Sequence, residues 1–443
     1  MLRRKVYDDL LNWKSRCSGR YAAFLDGAGQ IGKSAVAAEF AGNEYRSYII
    51  IDFACPEKDI CKLFDNISNM ELFFLRLQAI TGITLYERNS VIIFDDVHIF
   101  PKARKAIKTL VKDRRYDYIE TGLLAGTLSK GTEIRIMPEE YWISMYPMDF
   151  EEFLWACGKD TYDVMCAIND QGVPAGETLN RSLMREFRIY MAVGGMPQAV
   201  EAYIQKKSFN EIDIIKRGII ARCKDCFNRA DPTGHMSLIF ESIPEQIAAD
   251  KRRFVLSKAL NMRTTHEDKE LLSRLADTKT VLVSCQIKEP GDGLIQSSDM
   301  EAYKLYIFDT GLLATMMYQN HDRKNSDIYI NLLSGKSDAA YGYLYENAVA
   351  QIISSKGNDL FYYTWDKKNS SHYYEIDFIT GSDDGLVPIE IRPVRIGSHD
   401  SISEFSQKYA SRIARSLLLS QKDIGQDGSL QLRPIYLAPV ILD

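Results

Sequence analysis

The chain has 443 residues, room for about three domains of ordinary size, and a composition of 46% hydrophobic and 26% charged residues that excludes disordered and fibrous classes. A net charge of −5 excludes an overall positive field that would draw the chain to nucleic acid, so any such affinity needs a local basic patch. The N-terminal stretch "MLRRKVYDDLLNWKSR" has no apolar h-region, no run approaches the ~18 apolar residues of a membrane span, and the eight scattered cysteines read as reduced thiols; a cytoplasmic location without membrane contact is expected.

In chain order, "YAAFLDG", "SYIIIDFA", "SVIIFDDV", "YDYIETG" and "YWISMYPM" are short, nearly continuous apolar runs, the pattern of strands buried on both faces. Between them, "KSAVAAEFAG", "NMELFFLRLQAIT" and "KARKAIKTLVKD" have helical spacing. Alternating strands and helices predict a three-layer α/β domain over residues 1–150. From "DFEEFLWACG" onward, residues 151–330 read as mainly helical. Within them, "IFESIPEQIAADKRRFVLSKAL" and "HEDKELLSRLADTKTVLVSCQI" predict helices followed by a β-hairpin wing. Such a winged-helix-like order serves DNA in some proteins and packs against protein in others, so a nucleic-acid or protein partner is expected through it. "CKDC", Cys223 to Cys226, lacks the second pair that a metal site needs and reads as two cysteines on one helix face. "NLLSGKSDAAYG" is the expected linker. Beyond it, residues 331–443 hold a helix, "GYLYENAVAQIISSKG", and the strand-like runs "LFYYTWD", "YYEIDFIT" and "LVPIEIRPV", a second α/β unit.

The stretch Gly27-Ala28-Gly29-Gln30-Ile31-Gly32-Lys33-Ser34 fills every fixed position of G-x-x-x-x-G-K-[ST], between a predicted strand and a predicted helix. Glycines let backbone N–H groups close around phosphate oxygens, and the positive end of the following helix favours the same anion. Lys33 is expected to reach the β- and γ-phosphates of ATP and the Ser34 hydroxyl to ligate Mg2+. A second carboxylate on a neighbouring strand is then required, and Asp95 in "VIIFDDVH" supplies it. Asp96 is placed to orient the attacking water, or to cap the following helix. Thr121 would touch the γ-phosphate or satisfy the turn at Gly122, and His98 reads as capping a loop rather than sensing phosphate.

With these motifs in this order, and with "MYPMDFEEFLWACG", "VGGMPQAV", "SIPEQI", "KLYIFDTGLL", "YENAVAQ", "EIDF" and "PIEIR" after them, the chain resembles a family of prokaryotic AAA-type ATPases. In that family an AAA domain is followed by the domain of unknown function 4143. The resemblance implies an ATPase core, a helical lid with a winged-helix-like region, and a C-terminal unit similar to the PD-(D/E)xK nuclease fold. It also implies a site often completed by an arginine of a neighbouring subunit, hence a homo-oligomer; Arg104, Arg114, Arg115 and Arg135 are eligible. Departures are visible. Gly29 stands where the family has Arg, Leu123 where it has Ser, and Asp96 where it has Glu. A base shortened by one carbon predicts slow hydrolysis, since it must reach the proton it accepts. In the C-terminal unit, Glu346, Asp377 and Glu390 resemble the acidic residues that bind metal in nuclease-fold enzymes. The motif lysine is replaced by Arg392, which cannot lose a proton. The expectation is a nuclease-like fold whose chemistry is lost, with an Arg–carboxylate pair holding two strands together as the structural alternative. "VGGMPQAV", Gly194 to Val200, is either a lid hinge near the base or a break between two helices.

Overall fold

A computed structural model describes residues 2–65, 67, 69–123, 137–249, 253–291, 293–317, 325–334, 341–367, 372–392 and 399–442. Arg135, residues 335–340 of the expected linker and residues 250–252 of a predicted helix lie outside them. The chain divides into two compact units, Met1–Tyr146 with Asp277–Lys279, and Pro147–Ala276 with Thr280–Asp443.

The first unit runs α1 (Val6–Cys17), β1 (Ala22–Asp26), α2 (Lys33–Glu44), β2 (Ser47–Asp52), α3 (Lys58–Leu63), α4 (Met70–Thr81), β3 (Ser90–Asp95), α5 (Pro101–Asp113), β4 (Asp117–Gly122) and β5 (Glu140–Ser144). Each of β1 to β4 lies within a predicted apolar run, and β5 begins one residue before its run, at Glu140. All five pair in parallel in the order β2-β3-β4-β1-β5. Strand alternation sends Phe24, Ile49, Ile51, Ile92, Phe94 and Tyr118 into one core, where they meet Phe64, Phe73, Phe74 and Leu110 from α4, α5 and the end of α3. Full burial of each such aromatic contributes about 1.5–3 kcal/mol. The β2 run was expected to be covered on both faces, yet Tyr48 and Ile50 are exposed because β2 is the edge of the sheet.

The second unit begins with α6 (Phe150–Ala156), started by a capping box in which Asp149 accepts from Glu152 N at 2.8 Å and Glu152 accepts from Asp149 N at 3.2 Å. Then follow α7 (Thr161–Gln171), α8 (Glu177–Val193), α9 (Pro197–Ile204), α10 (Phe209–Ala230), α11 (His235–Ile247), α12 (Leu256–Leu260) and α13 (His266–Asp277). A hairpin of β6 (Val281–Ile287) and β7 (Ser298–Ile307) comes next, bulged between Cys285 and Gln286. After it stand α14 (Thr310–Met317), α15 (Asn325–Ser334), α16 (Gly342–Ser355), β8 (Leu360–Asp366), β9 (Tyr373–Ile376), β10 (Phe378–Ser382), β11 (Gly385–Arg392), α17 (Asp400–Lys408), β12 (Ser416–Ser420), β13 (Gly425–Asp427), β14 (Leu430–Pro434) and α18 (Ala438–Ile441). These strands form two sheets, β7-β6-β8-β9 and β10-β11-β12-β14-β13. Because β8 pairs in parallel with β6, the first of these sheets crosses the boundary expected at residue 330.

The motifs "VGGMPQAV", "KLYIFDTGLL" and "YENAVAQ" meet in one buried polar network of this unit. Asp309 accepts from Gly195 N and from Leu312 N at 2.9 Å. The Asn347 amide pairs with both backbone groups of Ile307 at 2.9 Å, and Gln351 accepts from Thr310 N and donates to the Tyr190 hydroxyl at 3.0 Å. Gly194 and Gly195 break the chain between α8 and α9, as the second of the two sequence readings has it. Cys223 and Cys226 share α10 as free thiols.

Candidate nucleotide site

In a parallel sheet all strands end at one edge, and the loop Gly27–Gly32 leaves that edge between β1 and α2. Strand register brings the ends together: Asp26 lies beside Gly122 and Ser144, and Asp52 beside Asp95. Gly27 has to be glycine, since a Cβ there would stand 2.3 Å from the Met145 carbonyl oxygen. Gly32 has φ 97°, which a side chain rarely tolerates. Gly29 is different: it is exposed and open space surrounds it, so the Arg of the resembling family would find room there.

Lys33 opens α2 and is buried, its ammonium donating to the carbonyls of Gly27 at 2.8 Å and Ala28 at 2.7 Å. Burial pushes its pKa down to about 8, against the opposing pull of Asp96, Asp26 and Asp95. The Ser34 hydroxyl donates to Asp95 Oδ1 at 2.7 Å. Thr121, at the end of β4 between β1 and β3, donates to the same oxygen and accepts from Asp96 N at 3.0 Å. The structure therefore brings Ser34, Asp95, Thr121 and Asp96 into one chain of hydrogen bonds beside the loop. Asp96 is left-handed, with φ 51°, and its carboxyl is pushed up by burial and by Asp95, with Lys33 opposing. His98, in the turn after β3, has a ring nitrogen 4.0 Å from the Asp96 carboxylate; burial and the nearby Lys33 and Arg104 hold its pKa down to about 4.

Asp95 and Ser34 present hard oxygen donors 2.7 Å apart beside the phosphate loop, a set that fits Mg2+ when phosphate and water oxygens complete the shell. Among the described residues no group of three or more His, Cys, Asp or Glu side chains is arranged to hold a metal ion.

Arg4 and Lys279, and the carboxylates Glu120 and Glu140, were missed in the sequence. Arg4 reaches the loop and donates to Ile31 O and to Tyr146 O, both at 2.7 Å. Lys279 forms an ion pair with buried Asp26, just before the loop. Arg104, one of the eligible arginines, is buried and bridges Glu140 at 2.8 Å and Glu120 at 3.4 Å. Burial lifts Glu120 to about 8 even with Arg104 beside it. Arg115 pairs with Asp113 at 2.6 Å, and Arg114 is an exposed left-handed cap of α5.

In the second unit, Glu346 on α16 accepts from Lys304 at 3.1 Å and from the Tyr306 hydroxyl at 2.6 Å, while Lys304 also donates to Glu375 at 2.6 Å. Asp377 stands between β9 and β10 and accepts from Ile391 N at 2.8 Å, which places it next to Glu390. Glu390 is pushed up to about 7, first by burial, with Arg392 in contact opposing. Glu390 and Arg392 lie on the same strand, so their pair does not hold two strands together; the cross-strand tie is the bond from Ile391 to Asp377.

Strand order, loop and convergent hydroxyls define the first unit as an AAA domain of the P-loop class. Residues 19–154 match the family model described as an AAA domain. Residues 184–323 match a domain of unknown function (DUF8612), which differs from the domain of unknown function 4143 that the sequence resemblance implied. No curated protein matches the chain. Among solved structures, a signal-transduction ATPase with numerous domains and a tetratricopeptide-repeat sensor from Pyrococcus horikoshii is 12% identical, covering 79% of this chain and 48% of that one, with a TM-score of 0.28. This chain thus spans about half the length of that protein. RuvB from Thermotoga maritima is 12% identical over 62% and 85% of the two chains with a TM-score of 0.28. Cdc6p from Pyrobaculum aerophilum is 13% identical over 74% and 92% with a TM-score of 0.23. The assignment of the first unit rests on its geometry and on the family match. No helix among the described residues is long and apolar enough to cross a membrane.

Proposed function

We propose that the first unit binds Mg-ATP at Gly27–Ser34 and hydrolyses it slowly to ADP and phosphate. The observation that carries this reading is the chain Ser34–Asp95–Thr121–Asp96 beside the buried Lys33. Backbone N–H groups of the loop hold the phosphates, and Lys33 leaves the loop carbonyls for the β- and γ-phosphates. Ser34 and Asp95 hold Mg2+, which when bound neutralises charge on the phosphate oxygens. Asp96 orients the water; its raised pKa suits a proton acceptor, but its short side chain limits reach. Thr121 ties the Asp95 carboxylate to the Asp96 backbone and so positions both.

A second reading, a nucleotide-gated switch with negligible turnover, is favoured by the same hydrogen-bond chain, because a nucleotide that engaged Ser34 and Lys33 would have to redraw it. One set of measurements separates the readings. Lys33→Ala is expected to weaken ATP binding at least tenfold in a calorimetric titration, and unchanged affinity would overturn the site. On the first reading, steady-state phosphate release is expected to be slow but measurable in the wild type; negligible wild-type release with a large gain in Asp96→Glu favours the switch, whereas vigorous wild-type turnover rejects it.

A further inference from the structure

We infer that Arg4 is a positioning residue for the phosphate loop, acting on the part that meets the β-phosphate of a nucleoside di- or triphosphate. The inference rests on the loop being the nucleotide site. Arg4 precedes α1 and is only 8% exposed, and its guanidinium spans two carbonyls, Ile31 O inside the loop and Tyr146 O after β5, each at 2.7 Å. Ile31 lies between two left-handed residues, Gln30 at φ 66° and Gly32 at φ 97°. A backbone that reverses its curvature in this way aims successive N–H groups into a concavity that holds anions, provided the peptide planes do not turn. No peptide bond among the described residues is cis, and in a trans peptide C=O and N–H point in opposite directions. Holding Ile31 O toward Arg4 therefore aims Gly32 N–H away from Arg4, the direction in which the nucleotide reading puts the phosphate. The same fork ties this peptide to the end of β5, the neighbour of β1 in the sheet. A planar, permanently charged guanidinium grips two separated carbonyls from different nitrogens of one rigid fork; a lysine ammonium is a single point at the end of a flexible stem and fixes their spacing less firmly.

The test uses the full chain with ADP, Mg-ATP and inorganic pyrophosphate as titrants, comparing wild type, Arg4→Met and Arg4→Lys by calorimetry. Arg4→Met keeps most of the apolar stem and is expected to raise the Kd for ADP and for pyrophosphate by a similar factor, at least about tenfold, the size expected when charged hydrogen bonds are lost. Arg4→Lys is expected to fall between the two. Unchanged ADP affinity in both variants overturns the inference, and so does a loss for ADP without a loss for pyrophosphate, which would place Arg4 at the nucleoside. If Arg4→Met does not fold, a loss of threefold or more for both titrants in Arg4→Lys supports the inference and wild-type affinity overturns it. A wild type that binds none of the three titrants would overturn the nucleotide reading itself, an outcome distinct from a wild type that binds beside unaltered variants.

Discussion

Lys33 reports the state of the loop through its proton. Its pKa in the folded chain, about 8, is below the 10.5 of an unburied lysine, because the buried ammonium is not fully compensated by loop carbonyls and carboxylates. The unfolded chain therefore binds more protons between those values, and this group makes folding stability rise as pH rises from about 8 to 10.5. Phosphate oxygens around the ammonium would restore the ordinary pKa. Binding at pH 8 is then expected to take up about half a proton, and at pH 6, where the amine is already charged, almost none. Titrations in buffers of different ionisation enthalpy measure this; heats that do not depend on buffer at pH 8 would refute the coupling. Arg4 shows the limit of residue-level reading. Nothing in "MLRRK" singles out one arginine, and its two acceptor carbonyls lie 27 and 142 residues away.

Elements were the most legible level. β1 to β4 lie inside runs read from apolar composition alone, β5 begins one residue ahead of its run, and α2, α4 and α5 coincide with the helical spacings to within a few residues. The run "YYEIDFIT" is the instructive departure: it divides at Asp377 into β9 and β10, which join different sheets. Apolar pattern specifies burial, whereas the choice of neighbouring strand depends on partners distant in sequence. Lys304 on β7 makes the same point energetically. It is 1% exposed and stands between Glu346 of α16 and Glu375 of β9. Lys304→Met is expected to cost about 3–5 kcal/mol, because it leaves a carboxylate uncompensated, and the double variant with Glu346→Gln to recover much of that. Urea unfolding of the two variants checks it; equal losses in both would show that the ion pair is not what holds this region.

At the scale of the whole molecule, the chain divides into two compact units. Calorimetric unfolding is therefore expected to show more than one transition. Mg-ATP at about a hundred times its Kd is expected to stabilise the first unit by about 2.7 kcal/mol and to raise its transition by about 5–10 °C, leaving the other in place. A single transition that moves as one would reject independent units, and two unmoved transitions would argue against nucleotide binding.

The sequence by itself determined the α/β class of the first unit and the place of its glycine-rich loop, and it singled out Lys33, Ser34, Asp95, Asp96 and Thr121, which the fold brings together beside that loop. All of these follow from local spacing: a glycine-rich turn between a strand and a helix, and polar residues at the ends of apolar runs. Only the tertiary structure decided that β4 lies between β1 and β3, so that Thr121 meets Asp95. Only it decided that Arg4 grips the loop, and that Lys304 answers Glu346. Those outcomes depend on which distant segments share a sheet edge or a buried volume, and a charge left alone in such a place costs several kcal/mol, so its partner is set by the fold rather than by its neighbours in sequence.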